Sequence, residues 1–186
     1  MTWNIPNTLT LLRFVLAIGI FVLLPFQLYA ACIVLFLLAM ASDFFDGYFA
    51  RKYNQITVFG RIMDPFADKF LICGCFIYFA SMPELQLNGW GILPWMAILI
   101  VGREILVTSL RATVEKSGGD FSAVWINKVK MALQCVTVFV CLVFLQFSDS
   151  IFLKVLMLIL VWATVLHTAY SGTITVIRAM KMIRAC

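Results

Sequence analysis

Six apolar runs, each long enough to cross a lipid bilayer, constrain the fold of this chain more than any other feature. A transmembrane helix needs about 20 apolar residues, and runs of this length begin near Thr8, Ala30, Gly60, Gly91, Val124 and Ile151. Hydrophobic residues make up 63% of the 186 residues and charged residues 12%, which is more apolar surface than one small soluble globule can hide. We therefore predict an all-α integral membrane protein with six transmembrane helices, folded as a single domain over residues 1–186.

The charged residues predict the orientation of these helices. An even number of spans places both termini on one side of the membrane. On that side lie the loops after the second and fourth runs and the C-terminal tail, which are rich in basic residues. These residues are Arg51, Lys52, Arg61, Lys116, Lys128, Lys130, Arg178, Lys181 and Arg184. The opposite loops contain Glu84, Asp149 and Lys154. By the positive-inside rule the termini face the cytoplasm, and we predict a multi-pass protein of the bacterial inner membrane.

Four aspartates, Asp43, Asp46, Asp64 and Asp68, lie where the second run ends and the third begins. Carboxylates are costly in such apolar sequence and need compensation. At about 100° per residue, the first two share one stripe of a helix, and the last two share a stripe of the next helix at matching depths. Converging carboxylates without a nearby His or Cys favour Mg²⁺ or Mn²⁺ over Zn²⁺. We predict two such ions, a pair suited to phosphoryl-type displacement.

Two other interpretations of the four aspartates are open at this point. One is a set of structural salt bridges with Arg51, Lys52, Arg61 and Lys69. Salt bridges do not require the i,i+3 and i,i+4 spacing found on two successive helices. The other is the pathway of a cation transporter or channel, since intramembrane acids also line such pathways. We find no inverted repeat or discontinuous helix of the kind that transporters use.

The acidic segment resembles the signature of the CDP-alcohol phosphotransferase family. Eight positions carry the resemblance, and they are Asp43, Asp46, Gly47, Ala50, Arg51, Gly60, Asp64 and Asp68. The resemblance implies a six-helix membrane bundle, usually a homodimer, that moves a phosphatidyl or similar group from a CDP-linked donor to an alcohol and releases CMP. A catalytically silent protein with this fold would be expected to have lost some of the acids, and none is lost here.

The resemblance also implies roles for individual residues. Asp43, Asp46 and Asp64 look like metal ligands, and Asp68 looks like both a ligand and the acceptor of the alcohol's proton. The residues implied around the CDP group are Asn7, Thr10, Gly47, Arg51 and Thr57. Of these, Arg51 has the clearest physical case, because a guanidinium can bind a pyrophosphate through two parallel hydrogen bonds.

Further segments resemble the branch of the family that makes phosphatidylglycerophosphate from CDP-diacylglycerol and sn-glycerol 3-phosphate. These are residues 4–13, 102–111 and 125–130 with Gln134. In that branch the acceptor carries a phosphate, and the cations expected to bind it are Arg13, Arg103, Arg111 and Lys130. No nucleic acid partner is expected, and the remaining partners are membrane lipid and a second copy of the chain.

Arg103 stands out among these cations because it lies inside the fourth apolar run, where an unpaired cation is costly. Glu104 is expected to pair with a neighbouring cation. The chain departs from the branch at Asn127 and Met131, where a glycine and a threonine are usual. Another acceptor stays open as an alternative, namely phosphatidylglycerol, as in a cardiolipin synthase, or inositol phosphate, as in a phosphatidylinositol-phosphate synthase.

Overall fold

The computed structural model describes residues 5–53, 58–116 and 125–185. Side chains are described in these ranges except at 5–7, 44–53, 58–62, 64, 88, 115–116, 127 and 183–185. The α-helices are α1 (Ile5–Leu23), α2 (Tyr29–Tyr53), α3 (Val58–Ala80), α4 (Pro83–Gln86), α5 (Pro94–Lys116), α6 (Trp125–Gln146) and α7 (Ile151–Ala185). Short 3₁₀ segments follow α1 and α4, and the described ranges contain no strand. The all-α prediction is confirmed.

The six long helices begin within three residues of the six predicted starts. Within the described residues, three of them are long and apolar enough to cross a membrane, over Thr8–Phe26, Lys128–Gln146 and Ile151–Met182. The described part of α2 adds an apolar stretch at Tyr29–Asp43. In α3 and α5 charged residues interrupt the apolar sequence. The structure is therefore that of an all-α membrane protein, and passage of all six helices through the bilayer stays a prediction.

The helices pack around an apolar core to which most of them contribute. Helix α1 packs against α2 and α3, α6 packs against α2, α3 and α7, and α5 packs against α3 and α7. The core includes the fully buried Phe76, Met96 and Leu142. Gly74 brings α3 close to α1, since a Cβ atom there would lie 2.1 Å from the ring of Phe21. This close approach brings the α1 residues that precede Phe21 near the acidic segment.

Buried polar residues are concentrated away from the end of the bundle where Trp90 and Trp162 lie. They are Thr10, Arg13, Ser42, Arg103, Glu104, Lys130, Gln134, Thr137, Thr164, Thr168, Ser171 and Thr175. At the end with the two tryptophans the interior is apolar, and Trp162 donates a hydrogen bond of 3.0 Å to the carbonyl oxygen of Trp90. Because polar groups are expensive to bury without partners, this polar region is where a functional site is expected.

Candidate active site

Two of the four predicted aspartates meet at one arginine. Arg13 on α1 is fully buried, and its Nη2 atom lies 2.9 Å from Asp43 Oδ1 of α2. Its Nη1 atom donates a hydrogen bond to Asp68 Oδ1 of α3. Three helices thus bring one guanidinium and two carboxylates together, and we call Arg13, Asp43 and Asp68 the acidic cluster. Side-chain exposure is 42% for Asp43 and 19% for Asp68, so both carboxylates stay accessible to a ligand.

The predicted convergence of all four aspartates is only partly within the described residues. The side chains of Asp46 and Asp64 lie outside them, although their helices are described. Among the described side chains no group of three or more metal-ligating residues occurs. The donor chemistry nevertheless fits a divalent ion, because Asp43 and Asp68 present oxygen ligands from two helices at one point and already attract a cation there.

A cavity of about 420 Å³ lies next to Asp68, and we call it the basic cavity. Its wall is formed by Pro65, Asp68, Lys69, Ile72, Cys73, Arg103, Glu104, Val107, Thr108, Arg111, Lys130, Met131 and Gln134. Three of the four cations predicted for the acceptor are among these residues, namely Arg103, Arg111 and Lys130. The fourth, Arg13, is not among them, and its guanidinium contacts Asp43 and Asp68 instead. The cavity therefore joins the predicted base to most of the predicted phosphate ligands.

Glu104 organises the cations of the basic cavity. Its Oε1 atom accepts a hydrogen bond from Lys130 Nζ, which links α5 to α6. The same oxygen lies 3.4 Å from Arg103 Nη1. Glu104 and Lys130 are both buried, and in that setting one carboxylate between two cations offsets much of the cost of burying them. The pairing expected for Glu104 from the sequence is present.

Arg103 is held from a second side by α7. Its Nη2 atom donates a hydrogen bond of 3.3 Å to Ser171 Oγ. The next residue, Gly172, leaves room for the arginine, because a Cβ atom there would lie 3.0 Å from Arg103 Cγ. The last helix therefore sets where this guanidinium lies, which the sequence analysis did not predict.

Lys69 and Thr108 are further residues of the site that the sequence analysis missed. Lys69 lines the basic cavity directly after Asp68, and its Nζ atom donates a hydrogen bond to Thr108 Oγ1. Thr108 in turn donates to the carbonyl oxygen of Glu104 at 2.7 Å. A signal for Lys69 was present, since a lysine inside an apolar run is as unusual as Arg103. From the sequence alone, Lys69 was expected only as a structural salt-bridge partner.

The residues predicted around the CDP group are described only in part. Thr10 is buried on α1, one helical turn before Arg13 and on the same face. The side chains of Asn7, Gly47 and Arg51 lie outside the described residues, as does the whole of Thr57. Their predicted contacts with the donor therefore stay predictions.

Comparison with known proteins gives matches over most of the chain. The family model described as CDP-alcohol phosphatidyltransferase matches residues 3–170. A Bacillus subtilis strain 168 protein named CDP-diacylglycerol–glycerol-3-phosphate 3-phosphatidyltransferase is 33% identical over 152 residues, covering 73% of this chain and 75% of its own. Proteins of the same name from Yersinia pestis and Pectobacterium atrosepticum are 40% and 38% identical, over 72% and 76% of this chain and 74% and 78% of theirs.

Proposed function

Because this chain belongs to the CDP-alcohol phosphatidyltransferase family, we propose that it transfers the phosphatidyl group of CDP-diacylglycerol to sn-glycerol 3-phosphate. The products are phosphatidylglycerophosphate and CMP. The observation that carries the proposal is the basic cavity, which has Asp68 in its wall together with Arg103, Arg111 and Lys130. The names of the relatives, which are 33–40% identical, support the same donor and acceptor.

The reaction is a displacement at phosphorus. A hydroxyl oxygen of the acceptor forms a bond to the phosphorus that carries the diacylglycerol, and the bond from that phosphorus to the CMP oxygen breaks. CMP leaves with the electron pair, and Asp68 accepts the proton of the attacking hydroxyl. An ordinary aspartate, with a reference pKa of about 3.9, is a weak base for an alcohol. Asp68 therefore depends on precise placement, which its hydrogen bond from Arg13 provides.

The acceptor's phosphate is assigned to the basic cavity. The wall has four cations, Lys69, Arg103, Arg111 and Lys130, and two carboxylates, Asp68 and Glu104, so the cavity has positive charge left over for an anion. Arginine suits this task because its fork of N–H groups matches the oxygens of a phosphate. Arg13 contacts the aspartates instead, and we assign to it the task of holding Asp43 and Asp68 together. Its predicted contact with the acceptor stays a prediction.

A divalent ion, Mg²⁺ or Mn²⁺, is assigned to Asp43, Asp46, Asp64 and Asp68, with two ions proposed. When bound, such ions stabilise the charge that develops on phosphate oxygens during displacement. We expect EDTA to abolish CMP release and added Mg²⁺ or Mn²⁺ to restore it, because the carboxylates alone repel an anionic donor. Ca²⁺ at the same concentration serves as the control ion. Full activity in EDTA would contradict the assignment.

The finer features of the protein are proposed on the same basis. The six long helices cross the bacterial inner membrane, with both termini and the site on the cytoplasmic side. The acyl chains of the donor stay in the bilayer while its head group reaches the aspartates and the CDP contacts of Asn7, Thr10, Gly47, Arg51 and Thr57. The family resemblance supports a homodimer, which light scattering of the protein in detergent would test.

The identity of the acceptor distinguishes the proposed function from the other activities considered for this chain. Purified protein with CDP-diacylglycerol and Mg²⁺ is assayed for CMP release with sn-glycerol 3-phosphate, glycerol, phosphatidylglycerol, inositol phosphate and serine. Release that depends on sn-glycerol 3-phosphate supports the proposal. Release with another acceptor would keep the acidic chemistry and overturn the assignment of the basic cavity. Absence of release with every acceptor would instead favour the transport or silent interpretations.

A further inference from the structure

One side-chain amide of the basic cavity has a buried nitrogen without a hydrogen-bond partner among the described residues. Gln134 on α6 lines the cavity and is 3% exposed. Its Nε2 atom is buried without a hydrogen-bond partner in the part of the chain that the structure describes. Leaving a buried amide N–H without a hydrogen-bond partner is unfavourable, because the group has lost its water and gained nothing in exchange. By contrast, Lys69, Thr108 and Lys130 in the same wall all have hydrogen-bond partners.

Gln134 lies in the same cavity as the proposed phosphate ligands and the proposed base. It lies four residues after Lys130, so the two side chains share one face of α6 and are about 6 Å apart along the helix axis. The neighbouring helix α3 contributes Asp68 to the same wall. Gln134 therefore borders the same cavity as the cations and Asp68, which the proposed acceptor would have to reach at once.

The hydrogen-bonding groups of the Gln134 amide limit which part of the acceptor it can bind. A side-chain amide both donates and accepts hydrogen bonds and carries no charge, so it matches a hydroxyl group, which does the same. The proposed acceptor has three functional groups, and two are already assigned. Its phosphate faces the cations, and its reacting hydroxyl faces Asp68. The hydroxyl on the middle carbon is the group that remains.

We propose that Gln134 is a specificity-determining residue that hydrogen-bonds the non-reacting hydroxyl of the acceptor. This inference rests on the proposed function, and it explains why a buried amide faces the cavity without a partner. A site that hydrogen-bonds a substrate hydroxyl discriminates against analogues that lack it, because the protein group is then left unpaired.

The test compares two acceptors in matched variants. The acceptors are sn-glycerol 3-phosphate and 3-hydroxypropyl phosphate, which keeps the phosphate and the reacting hydroxyl but lacks the middle one. We expect the wild type to prefer sn-glycerol 3-phosphate in kcat/KM. In Gln134→Leu that preference should fall by about 3–10-fold, the equivalent of one net hydrogen bond. Gln146→Leu, an exposed position on the same helix, should leave it unchanged.

Each outcome of this comparison decides something different. Equal losses with both acceptors in Gln134→Leu would overturn the inference, because a residue that only supports the fold does not distinguish them. The same holds if the wild type shows no preference between the acceptors. Gln134→Met, which keeps an unbranched side chain of similar length, replaces Gln134→Leu if that variant fails to fold. Failure of the wild type to use sn-glycerol 3-phosphate at all would instead overturn the proposed function.

Discussion

The acidic cluster and the basic cavity use the same two kinds of charge in opposite proportions. In the acidic cluster, Arg13 lies between Asp43 and Asp68. In the basic cavity, Glu104 lies between Arg103 and Lys130. In each case one side chain pairs with two side chains of the opposite charge. The charge left over in each region suits the proposed ligand, a cation in the first region and an anion in the second.

The difference also explains how such a site is stable inside a membrane protein. Like charges converging without compensation repel one another and shift toward their neutral forms. A buried partner of opposite sign removes part of that repulsion before the ligand arrives. Replacing residues of the two regions should therefore have different consequences. Changes to the carboxylates of the acidic cluster should abolish CMP release. Changes to the cations of the basic cavity should weaken use of the acceptor.

The largest effect is expected for Asp68→Asn. Asparagine keeps the shape of the side chain but does not accept a proton, so CMP release should fall by about 100-fold or more. The variant should still fold, as measured by its melting temperature in detergent. The control is Asp149→Asn, in the exposed turn before α7. Near-normal activity in Asp68→Asn would remove Asp68 as the base.

A smaller and more selective effect is expected for Arg103→Ala. Truncating one member of a buried, hydrogen-bonded charge pair costs about 2 kcal/mol or more, so kcat/KM for the acceptor should fall by about 30-fold. The KM for CDP-diacylglycerol should change little, because Arg103 lies in the basic cavity. Initial rates with each substrate varied in turn separate the two effects. Lys154→Ala, at an exposed position on α7, is the control, and equal losses for donor and acceptor would indicate a structural role.

Gly172→Ala tests whether α7 positions Arg103. The added methyl group would lie 3.0 Å from Arg103 Cγ and displace the guanidinium. We expect the KM for sn-glycerol 3-phosphate to rise by about 3–10-fold with kcat nearly unchanged, as for a loss of ground-state and transition-state binding alike. Gly102→Ala is the matched control, because a Cβ atom there meets nothing within 4 Å. Equal behaviour of the two variants would contradict the positioning role.

The smallest effect is expected away from both regions, at Thr137→Val. Thr137 Oγ1 lies 2.7 Å from Thr164 Oγ1, and this contact joins α6 to α7. Valine removes the hydroxyl, and Thr164 loses its hydrogen bond to residue 137. This loss should lower the free energy of unfolding by about 1 kcal/mol. Thermal unfolding in detergent measures the loss, with the exposed Thr173→Val as control. CMP release should be unchanged, and a change in acceptor KM would extend the functional region beyond the basic cavity.

The charged helices illustrate where sequence patterns succeed and where they fail. The starts of all six long helices were predicted within three residues, because long apolar runs bounded by turn residues are local features. Within the described residues, α1, α6 and α7 contain stretches long and apolar enough to count as spans. In α3 and α5 the charges of the site interrupt the apolar sequence and lower the hydropathy by which a span is recognised.

The sequence by itself determined that this is a helical membrane protein with an acidic segment suited to divalent metal and a set of cations suited to phosphate. These properties follow from composition and from the 3.6-residue period of a helix, which are local. Only the tertiary structure decided that Arg13 faces the aspartates and that Lys69 and Gln134 line the cavity. Such placements depend on which helices are neighbours and how closely they approach each other. For example, α3 can pack closely against α1 because Gly74 has no side chain to collide with the ring of Phe21. Helical periodicity gives the face on which a residue lies but not the helix that meets that face.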